Sequence, residues 1–431
     1  MLKIILKNLW ARRSRNGWLL AELILVSIVS WIILDPVIVV THDRNIPLGY
    51  DADRLCLVSL GALQPQAPGY DAQAEDSTVL VNTYLNMVRR VKDFPGVELA
   101  APLLGFCYPN SNGNSNSSIR AEGDTLDIST MWMFFLPHTG FFETYGFRPG
   151  KGMTPGELSD YDYTKNDIVL TENAAERFFG TKDARNKRCW NVSRNDTTVM
   201  PVIGTVGTFK IYSEWRPVPV LFKPMLSVDV SDIPENAQIL IRIKEGVSMN
   251  RFLHEFRPWM VKELRAGNLF ARSVRSYEKL IADMEYAGST SIYHRNLAMA
   301  GFFLINLCLG VIGTFWLQTR TRREEVGVIL SFGGTPRDIV RLLMGEGAVM
   351  TFIATLVGCL LYLQYALKEG LEKAQNWVDT TEVYWVTDFT QHFLVVSLIV
   401  FVIMLVVVLV GIYIPARRIS RIPPTEALRD E

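Results

Sequence analysis

Residues Phe393 to Ile414 read FLVVSLIVFVIMLVVVLVGIYI, a run without a single charge. At a rise of about 1.5 Å per residue, a helix of this length crosses bilayer hydrocarbon about 30 Å thick. A window of about 19 residues finds three more such stretches, at 17–40, 297–318 and 342–367. The stretch 297–318 is uncharged; 17–40 contains Glu22 and Asp35, and 342–367 contains Glu346. Four transmembrane helices are therefore expected, at 17–40, 297–318, 342–367 and 393–414. The 431 residues are 49% hydrophobic and 20% charged, and the mean hydropathy is +0.15. That value is high for a soluble protein and low for membrane spans alone, so a large water-soluble part is expected. Lys+Arg and Asp+Glu both total 44. A nucleic-acid binder needs surplus basic charge to neutralise phosphates, so that class is set aside.

The first stretch follows a positive front end, Lys3, Lys7, Arg12, Arg13 and Arg15. Its apolar part exceeds the usual h-region of a signal peptide, about 7–15 residues, and no small-x-small cleavage site follows. A retained anchor is expected. Orientation follows from Lys and Arg near the span ends. The segment 1–16, the loop 319–341 (Arg320, Arg322, Arg323, Arg337, Arg341) and the tail 415–431 (Arg417, Arg418, Arg421, Arg429) are basic. The loop 368–392 has Lys368 and Lys373 against Glu369, Glu372, Asp379, Glu382 and Asp388. Both termini and the Arg-rich loop are thus placed in the cytoplasm, with 41–293 and 368–392 outside.

The segment 41–293 reads as α+β in two subdomains, divided near residue 125. DIVLT (Asp167–Thr171) and AQILIRIK (Ala237–Lys244) have strand patterns. Val199–Val206 reads as a strand with a turn at its glycines. ENAAERFF (Glu172–Phe179) reads as a helix closed by Gly180, and Thr83–Val91 and Met249–Leu264 also read as helices. NSNGNSNSS (Asn110–Ser118) reads as a mobile polar loop.

Catalytic and metal signatures are missing. There is no GxxxxGK[ST] phosphate loop, no HExxH, no paired Cys spacing and no GxSxG elbow. His42, His138, His254, His294 and His392 are far apart and read as ordinary surface or interface residues, so no metal site is expected. Among Cys56, Cys107, Cys189, Cys308 and Cys359, the first three face an oxidising compartment, where one pair or none can form. Asn116, Asn191 and Asn195 head N-x-S/T sequons. Glu22 and Glu346, near the cytoplasmic ends of their spans, either are functional candidates, since charge in hydrocarbon is costly, or sit in the headgroup zone or pair with a nearby Arg. Asp35-Pro36 is expected to end the first helix, because the residue before proline disfavours helix.

The cytoplasmic loop is more informative. TRTRREEVGVILSFGGTPRDIVRLL (Thr319–Leu343) has a charged run leading into a short apolar helix, Val326–Phe332, broken by Gly333-Gly334. Thr335 can N-cap the next helix, with Pro336 at N1 and Asp338 at N3. Val326, Ile329, Leu330 and Phe332 offer an apolar face outside the bilayer, with Arg322 and Glu325 at its edge. Such an element can dock in a partner's groove.

Here the chain resembles the permease subunits of MacB/FtsX-type ABC transporters, the type VII or mechanotransmission systems. The family loop is close to R-x-x-E-[IV]-G followed by a small-residue turn. Arg322, Glu325, Val326 and Gly327 fit it, and Phe332-Gly333-Gly334 fits the turn. The family ends P-A-R-R-x-x-R-x-x-P-x-E-A-L-R. Pro415, Ala416, Arg417, Arg418, Arg421, Pro424, Glu426, Ala427, Leu428 and Arg429 reproduce this. GFFETYGFRPGKGM, VLTENAAERFFG and VIGTVGTF are similar to the family's periplasmic core, and the span spacing agrees. In two places the chain departs from the pattern. Ile329, Leu330 and Ser331 stand where members usually have basic residues, and Thr321 replaces a Glu. These put the individual ATPase contacts in doubt.

The resemblance implies a multi-pass subunit of a bacterial inner membrane, without catalysis or a cofactor of its own. It implies a separate cytoplasmic ABC ATPase that binds ATP and Mg, since only a short segment precedes the first span. ATPase coupling would fall to Arg322, Glu325, Val326, Gly327, Ile329, Leu330, Phe332, Gly333 and Gly334, with Arg417, Arg418 and Glu426 in the cytoplasmic tail. A second permease, alike or different, is implied, with a periplasmic adaptor or substrate protein as a further partner and membrane lipids around the spans. The work would be export, extraction or release of a peptide, lipoprotein or hydrophobic compound. The alternative is a membrane-anchored sensor or regulator of the cell envelope without transport.

Overall fold

The computed structural model describes residues 11, 13–105, 107–111, 113, 115–192, 198–228, 230–287, 290–320, 322–369 and 389–423. They form a membrane unit, up to His42 and again from Ser291, and an external unit, Asp43–Thr290.

The chain enters on helix α1 (Arg13–Asn45). In the external unit follow β1 (Leu55–Ala62), α2 (Ser77–Lys92), β2 (Val97–Leu103), β3 (Asn116–Ala121) and β4 (Ile128–Phe135). Next come α3 (Phe141–Tyr145), α4 (Pro155–Asp160), β5 (Ile168–Thr171), α5 (Glu172–Phe179), β6 (Arg188–Asn191), β7 (Val199–Val206) and β8 (Val220–Pro224). The unit closes with α6 (Ile233–Asn236), β9 (Gln238–Ile243), α7 (Met249–Glu263), β10 (Arg265–Ala266), β11 (Leu269–Ser276) and α8 (Tyr277–Ala287).

One sheet has the order β10-β11-β1-β9-β2; the other strands close a barrel, β3-β4-β8-β5-β7-β6. The sheet's central strands are apolar on both faces, and their side chains alternate between two cores. Leu55 and Leu57 of β1 join the barrel's Met131, Met133, Phe135 and Phe222. Cys56, Val58 and Leu60 join Tyr84 and Met87 of α2 and Phe252 and Phe256 of α7. α5 begins and ends as its sequence pattern indicates, with Gly180 in the left-handed region at φ 65°.

The structure corrects several expectations. The two subdomains do not divide near residue 125: the barrel is an insertion between β2 and β9, so the sheet is built from both flanks. β7 runs through Gly204 without a turn. The polar stretch from Asn110 is folded in at its start. Asn110 is buried, donates to the Tyr50 hydroxyl at 2.6 Å and accepts from the Ser213 amide at 3.2 Å, and Asn116 already opens β3.

The described external thiols, Cys56, Cys107 and Cys189, are buried and free. Cys56 and Cys189 lie in different apolar cores. Burial pushes the Cys107 thiol up to about 11, the Cys189 thiol up to about 12, and Cys56 well above its usual range. A thiolate is the reactive form, so all three are expected to resist maleimide in the folded protein and react in denaturant. Mass spectrometry checks this; fast labelling of Cys189 without denaturant would contradict the packing.

Lys210 is also buried. Its ammonium donates to the carbonyls of Asp43 at 2.8 Å and Ile46 at 3.3 Å. Burial lowers its pKa from 10.5 to about 8, against the pull of Asp43. Between those two values the unfolded chain holds a proton the folded chain has released, so this group makes stability rise with pH in that window. The thermal midpoint of the Lys210→Met variant should therefore gain less than that of the parent between pH 8 and 10. Identical pH slopes would contradict the assignment.

The membrane unit contains α1, α9 (Thr290–Arg320), α10 (Arg323–Ser331), α11 (Pro336–Glu369) and α12 (Phe389–Ile419). Among the described residues three helices are long and apolar enough to cross a membrane: Gly17–Asn45, Pro336–Lys368 and Phe389–Ile419. The expected span 297–318 lies within α9, whose described part carries the shorter apolar stretch Leu297–Asn306.

α12 buries His392, Val396, Val400, Met404, Val408, Ile412 and Ala416, one residue every four. That row is the i±4 ridge that packs into a neighbouring helix. Gly347 and Gly358 of α11 mark two close approaches. A Cβ at Gly347 would lie 2.0 Å from the Ile412 Cδ1 of α12; one at Gly358 would lie 2.8 Å from the Ser27 Cβ of α1 and 3.2 Å from the Ile24 carbonyl. Small residues bring membrane helices together in this way.

Pro36 does not end its helix as expected, and Pro415 also lies inside one. α1 continues past Asp35-Pro36 to Asn45, and α12 continues past Pro415 to Ile419. In both cases packing overrides the local preference: Asp35 is buried against His392, and Pro415 lies in the buried stripe. His392 is therefore no ordinary surface residue.

Candidate functional site

The loop between α9 and α11 is built from short-range chemistry. Arg322 stands at the N-cap of α10, and its carbonyl accepts from the Val326 amide at 3.0 Å. At the far end Phe332 is the C-cap. The Gly333 amide donates to the Leu330 carbonyl at 3.1 Å, and the Gly334 amide to the Ile329 carbonyl at 3.0 Å. This is a Schellman termination, which needs a left-handed residue directly after the cap. Gly333 supplies it at φ 86°.

Thr335 then starts α11 with reciprocal bonds. Its amide donates to the Asp338 carboxylate at 3.1 Å, and the Asp338 amide donates to the Thr335 hydroxyl at 3.3 Å. Pro336 takes the first helical position, where its missing N–H leaves no bond unmade. Both helix ends are thus fixed within five residues, and the angle between α10 and α11 is set by hydrogen bonds.

The loop's apolar residues do not share one face. Val326 is buried and packs with Ile339, Leu343 and the membrane helices, with Ile329 and Leu330 partly buried against them. Gly327 is buried as well. Outward point Val328, 44% exposed, and Phe332, 88% exposed. The expected docking face of Val326, Ile329, Leu330 and Phe332 therefore splits: three of the four hold α10 to its own chain, and Phe332 faces away with Val328. The sequence reading passed over Val328. A helical wheel separates 326, 329 and 330 from 328 and 332, and that signal was available.

Arg322 is likewise turned inward. It forms an ion pair with Glu346 of α11, with side chains 9% and 5% exposed. This is the nearby Arg expected for Glu346. Glu22 instead meets the Thr314 hydroxyl, at 3.5 Å. Glu325 is half-buried. In the tail, the Arg418 guanidinium sits 5.2 Å over the Trp316 ring, and Arg417 is exposed in the last turn of α12. Glu426 lies outside the described residues. Among the described residues no cluster of three His, Cys, Asp or Glu could hold a metal ion.

Residues 297–424, which contain this loop, match the FtsX-like permease C-terminal family. Over this segment the chain is similar to the C-terminal part of FtsX-like permeases. Three solved structures share likeness with this chain. They are a permease-protein domain from Porphyromonas gingivalis (15% identity, TM-score 0.33, 53% of this chain and 92% of that one), the periplasmic region of MacB from Actinobacillus actinomycetemcomitans (13%, 0.31, 55% and 94%) and the extracellular domain of the noncanonic ABC-type transporter YknZ from Gram-positive bacteria (11%, 0.25, 50% and 100%). At these scores the likeness stands as likeness alone. No curated protein matches this chain.

Proposed function

We propose that this ABC permease couples ATP hydrolysis on a separate cytoplasmic ATPase to movement of its external unit. One observation carries the proposal: Phe332, 88% exposed, sits with Val328 on a short helix fastened to the membrane helices by Arg322, Val326 and the glycine turn. A partner that grips Phe332 pushes directly on α11, because α10 has little freedom to move alone. ATP and Mg belong to that partner, and this chain supplies no catalytic group. In this reading the chain crosses the inner membrane four times, α9 included, and works as a pair of permeases. Its external unit then acts on a peptide, lipoprotein or hydrophobic compound.

Topology and partner are tested together. Reporters fused after Arg15, near Arg322 and at Glu431 should report cytoplasm; those at Asn114 and Asp379 should report the outside. The tagged permease should copurify an ABC ATPase and raise its hydrolysis rate. A cytoplasmic signal from Asn114, or a permease that recruits no ATPase from its own cells, would overturn the proposal.

A further inference from the structure

Asp35 and His392 lie deep in the membrane unit, with side chains 2% and 0% exposed, and the imidazole Nε2 is 2.6 Å from the carboxylate. They join α1 to α12. Around them the same turn of α1 is bound twice more. The Trp31 indole N–H donates to the Ser397 hydroxyl of α12 at 3.1 Å. Its ring stacks on Tyr362 of α11 with centroids 4.3 Å apart and on Phe393 of α12 at 5.3 Å.

The rest of the α1 packing is largely apolar, and apolar helix surfaces in lipid can slide and rotate at modest cost, because lipid tails are as apolar as the side chains. A buried carboxylate and imidazole cannot. A shift of one turn would part them in a site closed to water, where separating two hydrogen-bonded ionisable groups is costly. The pair therefore fixes one register.

We propose that Asp35 and His392 are positioning residues: a clasp that locks the register of α1 on α12, so that the two helices move as one body. This rests on the transporter reading for its purpose. It explains why a charged residue directly before a proline is kept within an unbroken helix.

The test uses the full chain in nanodiscs with its ATPase, in a Cys308→Ala background. Spin labels replace Thr41 and Leu394, both exposed near the outer ends of α1 and α12. In the parent, the label-to-label distance should be narrow and unchanged by ATP. Asp35→Asn and His392→Gln should each broaden the distribution by about twofold or more, as expected when one packed arrangement gives way to several. The exchanged pair, Asp35→His with His392→Asp, should narrow it again. Stimulated hydrolysis should persist in all of them, since the face of Val328 and Phe332 is untouched. Single variants that melt earlier but keep the narrow distribution would overturn the clasp and leave a purely structural pair. Should the parent recruit no ATPase, the transporter reading falls by itself, and the ATP-free distributions still decide the clasp.

Discussion

Replacing Arg322 with alanine should destabilise the membrane unit by about 3 kcal/mol, the low end of what breaking a buried ion pair costs. The guanidinium is held against Glu346 with both side chains almost wholly covered. Removing it takes the guanidinium away from a carboxylate that remains shielded from water. Replacing both residues with methionine should recover most of the loss, because an apolar pair of similar volume has no charge to desolvate. Thermal midpoints in nanodiscs for the parent, Arg322→Met, Glu346→Met and the double variant measure the coupling. If Arg322→Ala alone is neutral, the pair does not hold the loop to α11. The variant should also weaken ATPase stimulation, since α10 loses its anchor while its outer face stays intact.

Replacing Gly358 with leucine should cost about 3 kcal/mol, the upper end for overpacking a core. The new side chain would meet the Ser27 Cβ and the Ile24 carbonyl. A backbone atom cannot rotate away, so α1 and α11 must part. Gly347→Ala is the informative contrast. Its Cβ would come even closer to a neighbour, but that neighbour is the terminal carbon of Ile412, which can change rotamer. A smaller loss, below about 1.5 kcal/mol, is expected there. If both glycines respond alike, helix approach at Gly358 is not backbone-limited.

What could be read from sequence follows from range. α5 and its closing Gly180, the start of α11 at Thr335, and the break at Gly333-Gly334 depend on residues within one or two turns. Their chemistry is therefore written locally. The external topology is not. β1 pairs with β9 and β11, and β4 pairs in parallel with β8, across separations that leave no mark on a local pattern. Pro36 misled for the same reason: its local preference against helix is real, but distant packing decides. The docking face was half legible. Val326, Ile329, Leu330 and Phe332 are apolar, and their number marks an interacting helix, yet composition does not say which side faces the chain's own core. Arg322 fitted the family loop, but its inward turn depends on Glu346, more than twenty positions away. His392 looked ordinary because Asp35 lies at the other end of the sequence.

Gly327, which the family pattern places in the coupling loop, is buried in this chain, so substitution there would disturb the chain's own packing. The outward pair gives the clean measurement. Val328→Asp with Phe332→Asp leaves the buried side of α10 unchanged and alters only exposed positions. Losing a well-desolvated anchor typically costs an interface about 2 kcal/mol or more, roughly thirtyfold in affinity. This double variant should insert and fold like the parent but no longer capture an ABC ATPase or stimulate its hydrolysis. Normal capture and normal stimulated hydrolysis would contradict it.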